Sequence, residues 1–267
     1  MNAGRTSEAL ELALPDGETI RGVLSFAEAG GIQPTVIFAH GFGSTRGGEK
    51  ATALEAECGR RGWAFASCDF RGHGESGGTM LELRGSRLLE DLDAITRAVA
   101  ERAGGPLCLF GSSMGGWAAA WFAARNPDRI AACAFVAPAF SFLEWNGLSQ
   151  AERDEWRRTG RYRVRNEFVD LAIGYGLAAE AADFKIEALA TQFRTPLIIF
   201  HGMADNLVPY TQSLEFAARC AATDVELIIA KSGDHRMNLE KEKIARAACD
   251  FFATRIIRHQ PPPATDN

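Results

Sequence analysis

Leu107-Cys108-Leu109-Phe110-Gly111-Ser112-Ser113-Met114-Gly115-Gly116-Trp117-Ala118-Ala119-Ala120-Trp121-Phe122-Ala123-Ala124 joins an apolar run, a serine framed by glycines, and a second apolar run rich in small residues. The first four residues read as a short buried strand, and the residues from Gly116 onward as a buried helix. Strand, G-x-S-x-G, helix is the context of a nucleophile elbow. The turn is so tight that a Cβ at either flanking glycine would clash with the adjoining strand and helix. Ser113 then stands at the helix start, with its hydroxyl above the sheet beside backbone N–H groups that lack an intrahelical acceptor. Ser112 does not fit, because centring the pattern on it puts Phe110 and Met114 where the glycines belong. The plainer alternative is a glycine turn with a capping serine. The motif is weak alone, and its flanking strand and helix carry the assignment.

Outward from the elbow, apolar strands and helical segments alternate in a βαβα rhythm. Leu10–Leu14 and Thr19–Phe26, either side of Pro15-Asp16-Gly17, read as an opening hairpin. Thr35–Ala39, Trp63–Cys68, Ile130–Val136, Leu197–Phe200 and Val225–Ala230 read as strands. Gly48–Arg61, Leu83–Ala103, Tyr210–Ala221 and Glu240–Ile257 read as helices. The fold class is α/β: one domain over 1–267, a mostly parallel sheet with helices on both faces. The rhythm breaks between Pro138 and Thr195, about 138–195, where a capping box at Ser149-Gln150-Ala151-Glu152 opens a short helix that Gly160 ends. This segment reads as a small cap made of short helical pieces. The tail His259–Asn267 is expected to be disordered.

In sheets of this kind ligands bind beyond the carboxyl ends of the strands. After the Thr35 strand comes His40-Gly41-Phe42-Gly43, where the N–H of Phe42 can pair with that of Met114 as an oxyanion hole. A plain β-turn is the alternative there. After the Leu197 strand comes Asp205, and after the Val225 strand comes His235. A serine hydroxyl needs an imidazole to accept its proton, and the imidazole needs a carboxylate to fix its tautomer. Ser113, Asp205 and His235 fill those roles in chain order. Asp234 is a weaker candidate acid, since adjacent side chains on an extended loop diverge. His40 and His201 each precede a glycine at a strand end, where bonding a loop is the expected job. Gly72-His73-Gly74-Glu75-Ser76-Gly77 matches G-x-G-x-x-G, but no helix opens on its last glycine. It reads as a structural turn braced by Asp69 and Arg71, not as a dinucleotide site.

Taken together these motifs make the chain resemble an α/β-hydrolase over nearly its whole length. Gly111–Trp117, His201-Gly202-Met203 with Asp205 and Val208-Pro209, Thr223-Asp224-Val225 and Asp234-His235-Arg236-Met237 resemble the mitochondrial α/β-hydrolase-domain palmitoyl-protein thioesterases, a family that also deacylates acyl glucuronides. The resemblance implies the same three residues as a catalytic triad, and no cofactor is expected. His40-Gly41-Phe42 departs from that family toward the general esterase and lipase pattern.

The expected activity is hydrolysis of carboxylic esters or thioesters through an acyl-enzyme, with a small acyl substrate or an acylated protein as partner. A lipase, a small amide or peptide hydrolase, and a non-catalytic binding protein are the alternatives. A dehalogenase is excluded, since it needs a carboxylate where this chain has Ser113. The cap supplies Phe140, Phe142, Trp145, Trp156, Tyr162, Phe168 and Tyr175 as surface for an acyl chain. Its arginines, Arg153, Arg157, Arg158, Arg161, Arg163 and Arg165, read as a solvated face paired with Glu152, Asp154 and Glu155 rather than as an anion site. A net charge of −5 argues against a nucleic-acid partner. No stretch has the length of a membrane span, so no stable membrane insertion is expected. The six cysteines lie scattered in apolar runs and read as reduced core residues, which points to the cytoplasm. The five histidines show no metal-ligand spacing.

Overall fold

The structure, a computed structural model, describes residues 5–27 and 33–259. In chain order the elements are β1 (Arg5–Ala13), β2 (Thr19–Ala27), β3 (Thr35–Ala39), α1 (Glu49–Arg61), β4 (Ala64–Cys68), α2 (Gly85–Ala103), β5 (Leu107–Ser112), α3 (Met114–Arg125) and β6 (Ala132–Val136). There follow α4 (Gln150–Thr159), β7 (Arg161–Arg165), β8 (Asp170–Gly174), α5 (Gly176–Ala179), α6 (Ile186–Gln192), β9 (Leu197–Gly202), α7 (Thr211–Arg219), β10 (Val225–Ala230) and α8 (Lys241–His259). Eight strands form one sheet in the order β1-β2-β4-β3-β5-β6-β9-β10. The β1–β2 and β2–β4 pairs are antiparallel and the rest are parallel.

The central strands are apolar on both faces because helices cover both. Leu107 and Leu109 of β5 enter the core layer shared with α2 and α3, while Cys108 and Phe110 enter the layer shared with α1 and α8. Leu197 and Ile199 of β9 divide from Ile198 and Phe200 in the same way. Five of the six cysteines are buried within these layers, and Cys220 is half-buried. From β3 the chain passes through α1 to β4 on one side, then returns across the sheet to β5 on the other. The carboxyl ends of β3 and β5 therefore flank a crevice with no crossing connection.

The cap departs from the helical reading. Gln150–Thr159 is a helix opened by the Ser149–Glu152 capping box and closed at Gly160, as expected. Arg161–Arg165 and Asp170–Gly174, however, pair as an antiparallel hairpin. The sequence Arg161-Tyr162-Arg163-Val164-Arg165 alternates charged and apolar residues. That spacing suits a strand with one solvent face, and its arginines are exposed. The cap aromatics serve packing more than substrate. Trp156 meets Trp145, Tyr162 and Tyr175, Phe140 stacks on Phe216 at 4.0 Å, and Phe142 backs Phe42 and Trp117. The hairpin β1 starts at Arg5, earlier than its apolar pattern, because an edge strand leaves Thr6 to Ala9 exposed. The tail beyond His259 lies outside the described residues. Among the described residues no helix is long and apolar enough to cross a membrane.

Candidate active site

The G-x-S-x-G stretch is framed as tightly as its glycines require. A Cβ on Gly111 would sit 2.5 Å from the Gly115 carbonyl oxygen, and one on Gly115 would run into the Ala39 and His40 carbonyls. Ser113 adopts φ 54, ψ −116, a conformation that costs a non-glycine residue about 1–3 kcal/mol. Its N–H donates to Val136 O at 2.9 Å, and its carbonyl accepts from Trp117 and Ala139. Those bonds to β6 and α3 hold the strained turn. Among the described residues, two other non-glycines have positive φ, Ala137 and Met237. Ala137 follows β6 directly and Met237 comes two residues after His235, and both are buried in the core.

Ser113, His235 and Asp205, far apart in the chain, meet in one hydrogen-bonded line. His235 Nε2 lies 3.0 Å from Ser113 Oγ, and His235 Nδ1 lies 2.7 Å from Asp205 Oδ2. The Asp205 side chain is wholly buried, while the His235 side chain keeps 14% of its exposure. Burial pushes Asp205 upward, but bonds from His201, His235 and the Val208 N–H outweigh it and hold the carboxyl well below the usual carboxylate range. Its Oδ1 accepts the N–H groups of Leu207 and Val208, both at 2.8 Å. Asp205 Oδ2 accepts from both rings, and accepting the Nδ1–H of His235 keeps that ring in the tautomer whose Nε2 is free to take a proton.

Sequence reading undervalued His201. Its Nε2 donates to both Asp205 Oδ2 (3.1 Å) and Val208 O (3.0 Å), and its Nδ1 faces the Ser213 hydroxyl at 2.8 Å. It bonds a loop, as expected, but that loop carries Asp205. The available signal was its place four residues before the acid. Asp234 is occupied elsewhere: its Oδ1 accepts the Met237 N–H at 2.6 Å.

Phe42 lies in the turn after β3, beside Ser113, and lines the same cavity of about 390 Å³. Met114 is the first residue of α3, where a helix leaves its N–H without an acceptor. The turn is anchored by His40, whose Nδ1 donates to Gly41 O (2.9 Å) while Nε2 accepts the Phe70 N–H (3.0 Å). Burial, and then the neighbouring His73, push His40 down to about 3, so the ring stays neutral in that role. The Gly72–Gly77 stretch is a turn, as expected. Asp69 accepts the Arg46 and Glu75 N–H groups, and Arg71 clasps the buried Asp91 at 2.5 Å.

Six cap arginines stand away from the cavity. Arg157, Arg158 and Arg163 pair with Asp154, Glu155 and Asp170 on the surface, while Arg153 bonds backbone carbonyls. The cations that line the cavity are Lys50, which the sequence did not single out, and Arg236, which entered only as part of the Asp234–Met237 motif and without a role.

A family profile described as serine aminopeptidase, S33, matches residues 31–165 and 150–242. The chain belongs to this family of α/β-hydrolases. It is therefore a serine hydrolase, and its relatives include thioesterases and esterases. The mouse mitochondrial palmitoyl-protein thioesterase ABHD10 is 33% identical over 234 residues, 85% of this chain and 76% of that protein. The solved mouse structure of α/β-hydrolase domain-containing protein 10 superposes with a TM-score of 0.80 at 26% identity, covering 92% of this chain and 99% of the other. A monoacylglycerol lipase of Mycolicibacterium smegmatis is 25% identical over 252 residues, 84% of this chain and 88% of that one.

Proposed function

We propose that this serine hydrolase cleaves carboxylic esters and thioesters through an acyl-enzyme on Ser113, with His235 as general base and acid and Asp205 as its orienting carboxylate. Ser113 Oγ adds to the acyl carbon as its proton passes to His235 Nε2. The positive imidazolium is held by Asp205, which stays ionised. Negative charge on the acyl oxygen is received by the N–H groups of Phe42 and Met114, donors already in place before the charge forms. Collapse breaks the bond to the leaving group, which departs with the proton from Nε2. Water then repeats the sequence and frees the acid and the serine.

The observation that carries this reading is the continuous line from Ser113 Oγ through His235 to Asp205, at 3.0 and 2.7 Å. The names of the mouse thioesterase and the mycobacterial lipase agree with acyl oxygen or sulfur esters as the substrate class. The family description raises amide cleavage as the rival, so the test sets p-nitrophenyl esters, acyl thioesters and amino-acid p-nitroanilides side by side. Esters and thioesters should lead, and Ser113→Ala should lower kcat/KM by at least about 10⁴-fold. Faster anilide cleavage would replace this reading with a peptidase.

A further inference from the structure

The cap hairpin ends on the site. Its turn, Asn166–Val169, spans the cavity mouth between the loop after β3 and the loop that carries His235. On one side Val169 fills the notch left by Gly43: a Cβ there would lie 2.5 Å from Val169 Cγ1, and Gly43 has φ +65. On the other side the Phe168 ring lies 4.4 Å beneath the Arg236 guanidinium carbon and 6.3 Å from the His235 ring. The turn is braced from within. Asn166 Oδ1 accepts the N–H groups of Phe168 (2.8 Å) and Val169 (3.0 Å), and Asn166 N–H donates to Val169 O (2.9 Å). Lys50 Nζ donates to Arg236 O at 2.7 Å, fixing the other half of the contact.

The chemistry says which part of a substrate meets this turn. The departing atom must lie within hydrogen-bond reach of His235 Nε2 to receive its proton. The acyl oxygen must instead face Phe42 and Met114. A side chain packed on the histidine loop therefore borders the leaving group and not the acyl chain. We propose that Phe168, backed by Arg236, is a specificity-determining platform that favours flat, aromatic leaving groups over small alkyl ones. This rests on the Ser113 and His235 roles given above. A ring with a cation over one face offers an offset-stacking surface on the other.

The test varies one half of the substrate at a time. With a fixed butyryl group, Phe168→Ala should lower kcat/KM for phenyl and p-nitrophenyl esters about 10-fold, and for the ethyl ester less than about 3-fold. Phe168→Leu, which keeps apolar bulk without the ring, should lose the same aryl preference. Deacylation of the butyryl-enzyme, followed by single turnover after the leaving group has gone, should stay within about 2-fold of wild type, because the platform then has nothing to hold. Equal losses for aryl and ethyl esters, slowed deacylation, or a shifted acyl-length optimum would each overturn the proposal. Turnover that survives Ser113→Ala would instead overturn the reading on which it rests.

Discussion

The serine elbow and the cap hairpin border one cavity but are held in opposite ways. At the elbow, Phe110, Gly111, Met114, Gly115 and Trp117 are buried, and backbone bonds to two neighbouring strands leave no slack. In the hairpin, β7 alternates between half-buried and exposed residues, β8 turns buried only at Ile173 and Gly174, and the Arg163–Asp170 ion pair is largely exposed. A strained nucleophile needs surroundings that over-determine it. A wall that selects substrates needs only to be braced at its tip. On the proposed reading, the reacting residues and the wall that selects substrates are held separately, though both border the cavity at the strand ends.

Three substitutions sharpen that contrast. Gly115→Ala should have the largest effect, because its Cβ meets backbone oxygens of Ala39 and His40 that cannot rotate away. A loss of more than about 3 kcal/mol in urea unfolding, or failure to fold, is expected. Lys50 lies between the two regions, on α1 at the cavity wall. Burial, followed by the nearby Arg236, lowers it to about 8 from an ordinary 10.5. Between those values the unfolded chain binds the proton and the folded one does not, so stability rises with pH through this window. The slope is at most about 1.4 kcal/mol per pH unit. Unfolding at pH 7.5 and 9.5 should show that rise in wild type and lose it in Lys50→Met. Arg163→Ala comes last. Its pairing with Asp170 is largely exposed, so the urea-unfolding midpoint and ester turnover should both match wild type.

How much was legible in advance follows the same division. The elbow could be read because its geometry permits so few residues, and the order serine, acid, histidine fixed where to look beyond the other strands. The strands of the central sheet were readable to within a residue or two because burial on both faces makes them continuous apolar runs. The β7–β8 hairpin was not, since its period-two pattern is carried by arginines that a charge-based reading gives to a helix face. His201 was placed but its partner was not. A histidine at a strand end says it bonds something, and only the path of the loop back from Asp205 to Val208 shows that the acid itself is among its acceptors. The cap aromatics were misallocated for a related reason. A count of rings does not reveal that most of them face one another, leaving Phe168 as the one of the seven that lines the cavity.

The central claim, a covalent acyl intermediate on Ser113, is open to direct weighing. Intact-protein mass spectrometry after rapid mixing with a p-nitrophenyl acyl ester and an acid quench should show a mass increase equal to the acyl group. Peptide mapping should put that increase on Ser113, and Ser113→Ala should show none. An adduct on another residue, or full turnover in wild type and Ser113→Ala alike with no adduct, would contradict the account.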